Sequence, residues 1–414
     1  SIVTMPISSA RTLSGNLTLT AGTLADAGNI LTVQGNIAGT GSHTGAGSIT
    51  MTGASKTISG ATLTNLTLNN ASGFTLNGSP TINGALTFTT GRLSIGSNTL
   101  NLAGTVASMT TSNNITGSST SNISITGSGT LGTLLFNQTT VGTTNVLNNL
   151  TINRSSTGVV NLGSALNLAG NLTVTNGSLR SSGANTLTMA GTTQSFTISN
   201  TSGGSVLGTD NSAGNDLTLA IATGSTTTLT GDATSTNDDD KKFFNVTVNT
   251  GGTLVLSRGI LCKYGTFAVN GTLQINANGY LQTTPNGGGT AIAPTYGSSS
   301  LLRYNSATTY GRGIEWSTTS GAGYPNNVQV SNNTTLNVRN GADVARQIAG
   351  NLTVDSGSTL SLEGMTIVSP TEIGLTVVGN VINNGSILLA TSTERLKCVD
   401  FSNNAGATTT LSSN

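Results

Sequence analysis

The residues best equipped for recognition chemistry in this 414-residue chain gather between Tyr296 and Tyr324. Tyr296, Tyr304, Tyr310, Tyr324 and the single tryptophan, Trp316, stand there beside Arg303, Arg312 and Glu315. Aromatic rings next to guanidinium and carboxylate groups stack on and hydrogen-bond a sugar ring, and Trp, Tyr and Arg also anchor protein interfaces. Tyr304, Tyr310, Arg312, Glu315, Trp316 and Tyr324 are therefore the candidate contacts for a glycan or a protein partner. The competing reading is an insertion around 296–325 that packs its own aromatics against the body of the fold.

Other chemistry is thinly supplied. Asn237, Asp238, Asp239, Asp240, Lys241 and Lys242 offer oxygen ligands, but they lack the spaced acids and glycine that wrap calcium, and two lysines adjoin them. Glycan-cleaving enzymes need paired carboxylates in one groove. The only glutamates are Glu315, Glu363, Glu372 and Glu394, with no pair at matching repeat positions, and the lone His43 has no recognisable partner. The sequence therefore predicts no catalytic residues, metal or cofactor. Cys262 and Cys398 are separated by a third of the chain. Over roughly 20-residue coils rising about 4.8 Å each, that is on the order of 30 Å, so two free thiols are expected and no disulfide.

The elements that must position these groups show in the composition. Charged residues make up 7% and apolar residues 35%, with 55 glycines and a net charge of +1. Thr, Ser and Asn supply the polarity, alternating with Leu, Ile and Val as in strands with one buried face. The apolar content argues against disorder, and clustered Lys and Arg for nucleic acid are missing. No run approaches the ~18 apolar residues of a membrane helix. No charged-then-apolar leader opens the chain.

Internal repeats decide the fold. GALTFTTGRLSIGSNTLNLAGT from Gly84 matches GNLTVTNGSLRSSGANTLTMAGT from Gly170, with further copies from Gly15 and Gly350. A second motif begins at Asn65, Asn149, Asn245 and Asn327, at long and similar intervals that each span several strand-like pieces. In NLTVT, Leu and Val point one way and the polar residues the other. One such strand cannot bury its apolar face alone, so copies must stack. The prediction is an all-β, right-handed parallel β-solenoid of about 18–20 coils without sizeable helices. Tandem antiparallel sandwiches are the runner-up, disfavoured by near-copies without linkers. Residues 1–237 hold 9 of the 29 charged side chains, which divides a nearly uncharged spacer from a second part, 238–414, carrying the aromatic and charged features.

These repeats, NLTLNNASGFTLNG followed by GALTFTTGRLSIGSNTLNLAGT, resemble repeat regions of very large secreted surface proteins of Bacteroidetes and relatives, many exported by type IX secretion. LLRYNSATTYGRGIEWSTTSGAGYPNNVQVSNNTTLNV from Leu301 resembles a module of the same proteins. The resemblance implies an extracellular, cell-surface stalk or adhesin and names no ligand. The sorting domain of that route is not evident before TTTLSSN, so a fragment or a removed signal is expected.

Threonine pairs at Thr18 and Thr20, Thr87 and Thr89, Thr173 and Thr175, and Thr228 and Thr230 lie many coils apart, which argues against a water-ordering, ice-binding array. The NLT and NVT sequons at Asn16, Asn65 and Asn245 read as repeat grammar. With no polar cap evident at either end, the chain is expected to belong to a longer fibre, within one giant polypeptide or by head-to-tail self-association.

Overall fold

The computed structural model describes the chain except residues 1, 5–8, 156, 184, 200–204, 208–215, 232–240, 286–288, 342–343, 363–373, 390–393 and 412–414. It divides into two compact units, Ser1–Met189 with Ser195–Leu217, and Ala190–Gln194 with Thr218–Asn414. The N-terminal unit begins with three short strands per coil. Arg11–Leu13, Leu17–Leu19 and Thr23–Ala25 each pair in parallel with a strand of the following coil, Ile30–Val33, Ile37–Gly39 and Ser42–Thr44. Every strand pairing among the described residues is parallel, which makes each unit a parallel β-solenoid and removes the antiparallel sandwich. Helix among the described residues is confined to the 3-10 turn Ile314–Trp316.

Alternation within strands becomes columns between coils. On the first face, Leu13, Val33, Met51, Leu68 and Phe88 stack in register toward the core. Thr12, Thr32, Thr50, Thr67 and Thr87 form the adjoining outward column on the same coils. Single threonines therefore recur coil after coil on this face, whereas the residues two positions on are Ser14, Gln34, Thr52, Asn69 and Thr89, so the Thr pairs do not. The long repeat conceals this because coil length varies: Thr272 reaches its partner Leu301 over a much longer stretch than Ile49 needs to reach Leu66.

The Gly-Asn pairs of the repeat have a specific cause. The Oδ1 of Asn122 accepts from the backbone N–H of Asn149 at 3.2 Å, Asn149 from Asn171 at 2.8 Å, and Asn171 from Ser195 at 2.8 Å. In the C-terminal unit, Asn327 accepts from Asn351 at 3.0 Å and Asn351 from Asn380 at 2.8 Å. Each side chain thus satisfies an amide at or next to the start of a strand in the next coil. The glycine leaves room for it: a Cβ on Gly350 would lie 2.5 Å from Asn327 Oδ1, and one on Gly170 would lie 2.7 Å from Asn149 Oδ1. The sequons are structural grammar in this sense.

In the C-terminal unit Leu254, Leu273, Leu302, Val328, Leu352 and Val381 form one inward column. Leu256, Ile275, Tyr304, Val330, Val354 and Asn383 form another. Asn383 is fully buried, donating to Asn403 Oδ1 at 2.7 Å and to the Thr408 carbonyl at 2.9 Å. This inward column thus becomes polar at Asn383, whose amide is satisfied by the following coil, a feature the sequence reading missed.

Both cysteines of this unit are free thiols. Cys262 is buried and donates to the carbonyls of Phe244 at 3.3 Å and Thr266 at 3.4 Å, and burial pushes its thiol up to about 12. Cys398 is half-buried. Because the thiolate is the reactive form, a disulfide reagent at pH 8 is expected to modify one thiol in the native protein and two in denaturant. Two rapid native equivalents would show that the Cys262 wall opens.

Candidate functional site

The aromatic segment is built around strand Leu301–Asn305. Its alternation turns Leu302 and Tyr304 inward and Arg303 outward, where Arg303 donates to Gln329 at 2.9 Å and to Gln274 at 3.2 Å. Tyr304 fills the column position that Ile275 and Val330 occupy in adjacent coils. Its longer side chain carries a hydroxyl into the core, which requires a partner there.

Glu315 supplies it. The carboxylate Oε1 accepts from the Tyr304 hydroxyl at 3.1 Å and from the Gly313 N–H at 2.6 Å, and the Glu315 carbonyl accepts from the Tyr296 hydroxyl at 2.8 Å. Tyr310 leans on Tyr304 with ring centroids 5.4 Å apart. Arg312, on the adjoining segment, directs its donors to the carbonyls of Val338, Arg339 and Trp316. Trp316 Nε1 donates to the Gln347 carbonyl at 3.0 Å, and Gln347 Nε2 donates to the Tyr324 hydroxyl at 3.0 Å.

All six predicted contact residues therefore meet in one network, but it faces inward. Tyr304, Glu315 and Trp316 are 0% exposed and Arg312 is 6% exposed. Tyr310 and Tyr324 are half-buried. The segment packs its own aromatics into the coil interior and presents no open aromatic platform, which favours internal packing over the contact surface that the sequence left open. Asp238, Asp239, Asp240, Glu363 and Glu372 lie outside the described residues. Among the described residues no three His, Cys, Asp or Glu side chains converge as a metal site would require.

Two buried polar centres escaped the sequence reading, both in the N-terminal unit. His43 does have a partner: its Nε2 lies 3.0 Å from Asp26 Oδ2, with both side chains fully enclosed. Asp26 Oδ1 accepts from the Gly28 N–H at 2.7 Å. Gly45 leaves the space that the Asp26 carboxylate occupies. Asp26 and His43 are separated by the same stretch of chain as Ile49 and Leu66, which pair across adjacent coils. That spacing is the signal a coil-by-coil alignment would have used. Arg154 is the second centre, 1% exposed and ringed by carbonyls.

Burial shifts these two enclosed groups, His43 in one unit and Glu315 in the other, so that their contributions change with pH in opposite senses. It lowers the His43 pKa below the ordinary 6.5, outweighing the raising pull of Asp26. The unfolded chain then binds more protons than the folded one below about 6.5, so His43 costs stability as pH falls. Burial raises the Glu315 pKa above the ordinary 4.5, only partly offset by its hydrogen bonds and Arg312. Its contribution is greatest below 4.5 and is lost as pH rises through the folded value. Denaturant unfolding from pH 4.5 to 8 is expected to show wild type gaining on Glu315→Gln toward acid, and His43→Gln gaining on wild type below 6.5. Parallel pH curves for a variant and wild type would mean that the group titrates as in the unfolded chain.

The aromatic network can hold a core together, since the hydroxyls of Tyr296 and Tyr304 are spent on Glu315, whose second carboxylate oxygen is buried without a partner. Compared with family models, curated proteins and solved structures, the chain matches none.

Proposed function

We propose that this chain is a non-catalytic, extracellular β-solenoid segment of a bacterial surface filament or stalk, extended end to end by further coils. The observation that carries the reading is the unbroken parallel stacking of coils, in which each inward column meets the same column of the next coil. A stack built this way gains reach by adding coils and offers no metal-holding cluster among its described residues. Val399 is 68% exposed, Phe401 41% and Leu411 69%. Exposed apolar side chains of this kind suit a heterologous contact with a second copy, which propagates instead of closing.

Electron microscopy and sedimentation over a concentration series test the self-associating form. Particles should lengthen along one axis with concentration, and Phe401→Lys should shorten them by placing an unpaired charge in the contact. Short, uniform particles at high concentration would remove self-association. An adhesin acting through Tyr310 and Trp316 has less support, because the network around them is enclosed.

A further inference from the structure

We propose that a polar groove on the second face of the N-terminal unit binds an acidic oligosaccharide through Arg92. The groove encloses about 350 Å³ between the turn at Ser72 and the neighbouring coils. Its floor is an outward column, Thr75, Ser94 and Thr116, in register on successive coils. Asn137 continues the column, donating from Nδ2 to Thr116 Oγ1 at 3.1 Å. Neutral donors and acceptors are thus repeated at the strand spacing of about 4.8 Å along the solenoid axis.

Arg92 lines this groove and is half-buried. Its Nε is enclosed without an acceptor, and among the described residues no side chain forms an ion pair with it. Arg154 makes the contrast, since its guanidinium is fully buried and directed to carbonyls of its own chain. Asp26, the acid nearest Arg92 in sequence, is closed against His43. A guanidinium offers five donors and no acceptor, and a planar carboxylate or sulfate is the group that satisfies its fork. The chain provides the cation and the groove but not the anion.

The remaining lining selects the rest of the ligand. Hydroxyls and one amide match a polyol. Phe74, the one large apolar residue of the lining, is turned inward at 2% exposure, which leaves no platform for peptide side chains or lipid. A single cation does not suit nucleic acid, whose binding rests on several neutralised phosphates. The occupant is therefore a sugar chain bearing carboxylate or sulfate groups. The site stands independently of filament formation and belongs to a different unit from the aromatic segment.

Titration calorimetry of the whole chain against an oligogalacturonate, a sulfated galactan oligosaccharide and a neutral galactan of equal length tests the proposal and separates carboxylate from sulfate. At least one acidic probe is expected to bind ten-fold or more tightly than the neutral one. Arg92→Gln should lose that ten-fold, Arg92→Lys should recover part of it, and Ser94→Ala with Thr116→Ala should weaken binding several-fold. The unfolding midpoint of Arg92→Gln should stay near the wild-type value, since the substitution breaks no internal side-chain hydrogen bond or ion pair. Equal binding by Arg92→Gln, equal binding of the neutral probe, or no binding of any probe would each overturn the assignment.

Discussion

Arg154→Met is expected to lower the stability of the N-terminal unit by about 3–5 kcal/mol, since several enclosed carbonyls lose their donor at about 1–3 kcal/mol apiece. Arg154 Nε donates to Gly129 at 3.0 Å, Nη1 to Thr126 at 2.6 Å, and Nη2 to Gly104 at 3.1 Å and to Ser128. Those carbonyls belong to preceding coils, so one side chain ties its own coil to the two before it. Methionine keeps the length and removes every donor, leaving enclosed carbonyls unpaired. Lysine should recover only part of the loss, because a compact ammonium reaches fewer of these oxygens than a planar fork. Gly158 and Gly177 belong to the same arrangement, since a Cβ on either would lie 2.6 Å or 3.2 Å from Arg154 Cβ. Chemical denaturation combined with hydrogen exchange across residues 104–177 measures the effect. A loss under about 1 kcal/mol would show that water can replace the guanidinium.

Trp316→Ala should cost the C-terminal unit a similar amount, about 3–5 kcal/mol, as a fully enclosed ring is replaced by a cavity. The damage extends beyond volume. Trp316 sits on the turn that carries Glu315, its carbonyl accepts from Arg312 at 3.3 Å, and its indole holds the Gln347 carbonyl. Tyr324→Phe removes one partly exposed hydroxyl and should cost about 1 kcal/mol or less. The pair of variants separates the two roles first considered for this segment. If Trp316→Ala kept its unfolding midpoint and lost retention on a glycan array, a surface role would be restored. A large fall in the midpoint places the residue in the core.

The fold was legible because side-chain alternation and stacking follow from short-range geometry. NLTV and LLRYN already state which residues face inward, and near-copies already state that coils stack. The inward turn of Tyr304 could have been read from the same alternation, with Arg303 outward between Gln274 and Gln329. What resisted reading was register. Coils of unequal length break any fixed period, so the pairing of His43 with Asp26 and the continuous column from Thr12 to Thr87 were both invisible at the scale of the long repeat. Arg154 was hidden differently: its acceptors are backbone carbonyls, which every residue has and no motif marks. The Arg92 groove joins residues of several coils and shares the difficulty of register.

The asparagine ladder also bears on how such a chain changes over generations. Many coils meet their successor through the same asparagine oxygen, often beside a glycine, and the stacked inward columns pair only between adjacent coils. A duplicated stretch of gene that encodes whole coils therefore arrives with both of its seams already fitted. Heredity can lengthen or shorten the array like beads on a string, adjusting reach without redesigning an interior. Arg154, which holds three consecutive coils, is a place where that editing should stall.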